Sequence, residues 1–135
     1  MTSAQRLWVE TPFFEVEPSE DQETNPGVYG RAFARWLADR LRARGEPVEQ
    51  VLAEDWGRCV VLSRRPYRLW IGCSNRADRV DEWGAFVMAE PGLLQRLFRT
   101  ADPGPVVARV HRVLDEIMHE VPQAVRVWSE ERPAR

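Results

Sequence analysis

His111, Asp115 and His119 recur at i, i+4 and i+8, a spacing that lines two imidazoles and a carboxylate along one helix and can hold zinc or another transition ion. The same segment carries Val106, Val110, Val113, Leu114, Ile117 and Val121 at helical spacing. The ladder falls well off that apolar stripe, so it reads as a solvated helix face without the supporting shell a metal centre needs. Cys59 and Cys73 could meet across a hairpin as a strained disulfide, although buried free thiols are the expectation in a reducing compartment. Glu54-Asp55 and Asp81-Glu82 each stand just before an alternating run. Four carboxylates gathered in one cleft could serve acid–base hydrolysis or hold magnesium. The chain contains no G-x-G-x-x-G, G-x-S-x-G or H-E-x-x-H motif.

Charge is distributed unevenly. Residues 1–30 hold six acids, Glu10, Glu15, Glu17, Glu20, Asp21 and Glu23, against one Arg, whereas the following stretch brings Arg31, Arg35, Arg40, Arg42 and Arg44. The whole chain of 135 residues is nearly neutral at −2, so the acidic front end is a local field. Such a field suits a basic partner surface better than nucleic acid. All 19 basic residues are Arg and none is Lys, as the codon bias of a GC-rich bacterial genome produces.

The elements that must position these groups follow from periodicity. A first strand is expected over 6–17 with a break at Pro12, followed by a solvated loop over 18–24. Asn25 as N-cap and Pro26 at the first helical position open a helix over 26–44, with Tyr29, Phe33, Trp36, Leu37 and Leu41 on its apolar face and Gly45 ending it. Strands are expected at 48–53, 57–64, 67–74 and 83–89, with a tight turn at Arg64–Tyr67. Two helices over 91–99 and 103–121, the second capped by Asp102, precede a final strand over 124–128. The order predicts one α+β domain over 1–135: an antiparallel or mixed sheet of five to six strands, with two long helices and a short one mainly on one face. In the 57–74 hairpin, Leu69, Ile71, Val61 and Cys59 are expected on one face. Val60, Leu62 and Trp70 fall on the other, with Arg58 and Arg68 beside the indole as an aromatic–arginine patch. Asp55-Trp56-Gly57 and Glu82-Trp83-Gly84 echo one another, each Trp set at the core edge.

The run from Asn25-Pro26-Gly27-Val28-Tyr29-Gly30 to Trp36-Leu37, with Glu54-Asp55-Trp56-Gly57 and Leu69-Trp70-Ile71-Gly72-Cys73 downstream, resembles a small bacterial family of α+β proteins over roughly residues 20–90. The resemblance implies the fold and carries no assigned activity, so no site residue comes with it. In general character the chain is also similar to bacterial immunity proteins and antitoxins.

Together these features lead to a non-enzymatic, cytoplasmic binding protein without a cofactor or a bound metal, occluding a bacterial protein partner such as a toxin or effector. Glu15, Glu17, Glu20, Asp21 and Glu23 would steer, and Arg68 and Trp70 would anchor. The alternatives are a hydrolase or nucleotide-processing enzyme built on Glu54, Asp55, Asp81 and Glu82, and a homodimer that buries the Trp70 face. Neither nucleic acid nor membrane is an expected partner: the pI is near 5.8 and no apolar run is long enough to span a bilayer.

Overall fold

Alternation of apolar side chains at period two makes strands here, and each strand gives one set of residues to each face of a single sheet. The computed structural model describes residues 5–91 and 102–132. Its elements are β1 (Gln5–Glu10), a 3-10 turn (Glu20–Gln22), α1 (Arg31–Ala43), β2 (Gln50–Glu54), β3 (Gly57–Ser63), β4 (Tyr67–Asn75), β5 (Glu82–Pro91), α2 (Gly104–Met118) and β6 (Arg126–Glu131). The fold is α+β, with an open sheet of six strands in the order β2-β3-β4-β5-β1-β6 and every neighbour antiparallel. Pro91 ends β5, and the remainder of the helix expected over 91–99 lies outside the described residues.

The main core gathers Leu7 and Val9 of β1, Val60 and Leu62 of β3, Leu69 and Ile71 of β4 and Trp83, Ala85 and Val87 of β5. Phe33, Leu37 and Leu41 of α1 and Val110, Leu114 and Ile117 of α2 join them. Across the helix pair, Arg44 bridges Glu116 and Glu120, and Arg40 reaches Glu120 at 3.3 Å. Arg40 thus extends from the edge of the apolar stripe to a charge on the next helix.

Several boundaries differ from the sequence reading for identifiable reasons. β1 stops at Glu10 because Thr11, fully buried, turns the chain: its hydroxyl donates to Pro122 O (2.7 Å) and accepts from Phe13 N–H (3.1 Å). Phe14 then enters the core from a loop, edge-on to Trp36 and Trp83. α1 begins at Arg31 and not at Pro26, with Gly30 (φ +145°) as its N-cap. A glycine offers no capping side chain. The missing acceptor comes from the 3-10 turn, where the Glu20 carboxylate takes the N–H groups of Gly30 (3.0 Å), Arg31 (3.2 Å) and Glu17 (3.0 Å). Buried Asn75, at the end of β4, ties the intervening loop down, accepting from Tyr29 N–H (2.8 Å) and donating to Gly27 O (3.1 Å).

The 57–74 hairpin has the opposite parity to the one expected for three of its residues. Val61 pairs with Trp70 and Val60 with Ile71, so Cys59, Val61 and Trp70 share one face and Val60, Leu62, Leu69 and Ile71 share the other. An irregularity between Val61 and Ser63 shifts the register by one residue, and a shift of one exchanges the faces.

Candidate functional site

The face of the sheet turned away from the main core carries Trp8, Trp70, Phe86 and Trp128, with Trp56 reaching Trp70 and Phe86 from the β2–β3 turn. Among the described residues, no helix side chain joins the cluster formed there by Cys59, Val61, Trp70 and Phe86. Two glycines make room for the rings. A Cβ on Gly84 would meet the six-membered ring of its cross-strand partner Trp8 at 2.7 Å, and one on Gly72 would come closer still to the ring of its partner Phe86. The aromatic rings therefore lie close over bare backbone, an arrangement that fixes their tilt.

Arginines cover the rings in turn. Arg76 lies 4.1 Å from the Trp8 centroid, Arg126 3.9 Å from Trp128, Arg132 3.8 Å from Phe86 and Arg68 5.7 Å from Trp70. Carboxylates hold some of these guanidiniums in a ladder along one end of the face. Arg126 bridges Glu10 (3.1 Å) and Glu82 (3.4 Å), and Arg76 bridges Glu82 (2.6 Å) and Glu130 (2.8 Å). At the other end, Trp56, Trp70, Met88 and Cys59 floor a hollow of about 230 Å³ with Glu54, Arg68 and Glu90 around it. Trp70 is only 6 % exposed, whereas Trp56 is 40 % exposed. The most exposed ring of the patch is thus Trp56, which the sequence reading set at the core edge. Its echo partner Trp83 is buried in the main core.

The acidic segment folds back on its own chain. Glu20 is 1 % exposed and committed to the helix cap. Asp21 accepts from Gly27 N–H (2.9 Å), Glu17 pairs with Arg31 (2.8 Å), and Glu23 pairs with Arg31 (2.5 Å) and with buried Arg58 (2.9 Å). Of the five acids singled out for steering, Glu15 alone is exposed without a hydrogen-bond or ion-pair partner among the described residues. Only a turn and a cap seen in three dimensions could reveal this, because charge counting treats all six acids alike.

The four carboxylates of the enzyme reading do not converge. Glu54 borders the hollow at the end of β2, Asp55 is exposed in the β2–β3 turn, Asp81 is held by Arg79 (2.8 Å), and Glu82 is engaged by Arg76 and Arg126 three strands away. His119, exposed just past the end of α2, sits 3.7 Å from Asp115, and among the described residues no group of three or more His, Cys, Asp or Glu is placed to hold a metal. Cys59 and Cys73 are both free and lie on opposite faces of the sheet. Burial pushes the Cys59 thiol up to about 11, so it is protonated at neutral pH and is not poised as a nucleophile.

The ion pairs make a pH prediction. A hydrogen bond from Arg58, with Arg31 nearby, holds the Glu23 carboxyl below its ordinary value. Hydrogen bonds from Arg79 and Arg44 do the same for Asp81 and Glu120, and the Trp128 indole followed by Arg76 does so for Glu130. Groups whose folded-state pKa is depressed contribute stability that is complete above the ordinary carboxylate range and lost as pH falls through the depressed values. Urea midpoints should therefore hold steady from neutrality down to that range and fall below it. A midpoint that rises on acidification would contradict the pairing.

Comparison of the chain with family models, with curated proteins and with solved structures finds no match. No helix among the described residues is long and apolar enough to cross a membrane.

Proposed function

We propose that this chain is a non-enzymatic binding protein that occludes a protein partner, in the manner of bacterial immunity proteins and antitoxins, and that it does so with the second sheet face. The supporting observation is the arrangement there: aromatic rings seated over Gly72 and Gly84 and overlaid by arginines, with the Trp56 edge open. Trp and Arg are the residue types that concentrate binding energy at interface centres, and rings already fixed in place lose little freedom on association. Trp56, Arg68 and Trp70 form the anchor. Of the acidic segment, Glu15 supplies the steering charge, because its neighbours are engaged within the chain by ion pairs or backbone N–H groups. Self-association through the same face is the second reading, favoured by its alternating Arg and Glu, which a rotated copy could match.

The test is capture from a native lysate by three forms of the tagged protein. Wild type and Arg35→Glu, altered on the exposed side of α1, should retain one stoichiometric partner, and Trp56→Ala/Arg68→Glu should lose it. Retention by the double variant would remove this face from the interface. A mass by light scattering that doubles with concentration, with no partner captured, would favour self-association.

A further inference from the structure

On the second face, among the described residues, the chain supplies its own cation to every aromatic ring but one. Trp8, Trp70, Phe86 and Trp128 each have an arginine guanidinium within 6 Å of the ring centroid, while Trp56 has none among the described residues. The carboxylates of the face repeat the pattern. Glu10, Glu82, Glu90 and Glu130 each stand within ion-pair distance of an arginine, and among the described residues Glu54 does not. The unmatched ring and the unmatched carboxylate border the same hollow.

The hollow's chemistry defines what fits it. One side of Trp56 rests against Trp70 and Phe86, with centroids 5.5 and 6.0 Å away, and the ring is still 40 % exposed. Glu54, Glu90 and Arg68 leave the lining with one net negative charge, so a single monocation neutralises it.

We propose that this hollow is a binding site for a guanidinium group, the arginine side chain of a protein partner. The planar cation lies on the outer side of Trp56 and its N–H groups donate to the Glu54 carboxylate. A guanidinium fits better than an ammonium because it stacks on an indole and meets a carboxylate through two parallel N–H groups. The proposal deepens the protein-binding reading of this face and rests on it.

The experiment follows the tryptophan indole N–H resonances of the intact 15N-labelled protein during titration with N-acetyl-Gly-Arg-Gly-amide. The same peptide with citrulline in place of Arg is the comparison, since citrulline keeps the shape and loses the charge. The Arg peptide should shift the Trp56 and Trp70 indole signals at about 10 mM, several times the roughly 1 mM Kd that one stacked ion pair supports. Citrulline should leave them in place, and Glu54→Gln should weaken the Arg peptide about tenfold, the loss expected for a hydrogen bond to a charged group. Equal shifts with citrulline, or none with the Arg peptide, would overturn the site. The same Glu54→Gln protein in the lysate capture keeps the two readings apart. A partner captured undiminished overturns the guanidinium site and leaves the binding face standing, whereas loss of that partner, restored by wild type, supports both.

Discussion

Glu20→Ala is expected to lower the stability of the folded chain by about 3 kcal/mol or more, a large effect for a residue in a surface turn. The Glu20 carboxylate accepts three backbone N–H groups, from Glu17, Gly30 and Arg31, and is itself 1 % exposed. Hydrogen bonds to an ionised acceptor are each worth roughly 1.5–3 kcal/mol, and removing the acceptor leaves the Gly30 N–H buried at a helix start that has no other side-chain cap. The carbonyl of the same residue accepts from buried Arg58 (3.1 Å), so loss of the cap also loosens the Arg58–Glu23 pair. Glu20→Gln is the control. Its single carbonyl oxygen can keep the Gly30 and Arg31 donors and must give up Glu17, so about half the stability should return. Urea unfolding followed by circular dichroism measures both, and hydrogen exchange should show the Gly30 and Arg31 amides opening first. A cost for Glu20→Ala under about 0.5 kcal/mol, the size of an ordinary surface substitution, would mean that water caps the helix equally well.

The second large effect is expected at the entry to β3. Gly57 has φ +153°, a conformation L side chains rarely adopt, and a Cβ there would collide with the carbonyl oxygen of Cys73 and reach 2.9 Å from Ser74 Cβ. The obstacle is backbone in the paired strand β4, so it cannot swing aside as a flexible side chain would. Gly57→Ala should therefore cost about 3–5 kcal/mol, from backbone strain of roughly 1–3 kcal/mol and a similar penalty for overpacking. Gly45→Ala separates the two contributions. Gly45 ends α1 at φ +82° with nothing within 4 Å of its would-be Cβ, so it should lose only the roughly 1–2 kcal/mol of a left-handed residue. Equal costs at the two positions would show that the strand entry relaxes around the added methyl.

What the sequence disclosed and what it concealed divide along the range of the interactions concerned. The apolar face of α1 was legible because Phe33, Leu37 and Leu41 repeat at helical spacing, and the strands at 57–63 and 67–75 because their alternation is local. The start of α1 was not. Asn25-Pro26 carries the local signal of a helix start, but the actual cap reaches Gly30 from ten residues upstream through a turn of its own. The faces of the hairpin were misread because a single register irregularity near Leu62 reverses parity, and no periodicity argument detects one extra residue. The functional face was half visible. Trp70 and Arg68 could be paired from sequence, whereas Trp56 emerges as the open ring only once the β2–β3 turn is folded. Gly72 and Gly84 had a usable signal, glycine inside a strand, but their partners Phe86 and Trp8 could be named only after the register was known.

The strand order has a kinetic consequence. β1 comes first in the chain, yet its partners are β5 and β6, so Trp8 pairs with Gly84 on one side and with Trp128 on the other. During synthesis the earliest strand must wait, unpaired, until most of the chain has emerged, while β2, β3, β4 and β5 can zip together through short connections. Closing so long a loop is entropically costly before any contact rewards it, which places β1 and β6 among the last elements to dock. The ribosome-bound intermediate is then a four-stranded meander with the flank of β5 bare, and that flank, where β1 finally inserts, is the point most open to pairing with a neighbouring chain.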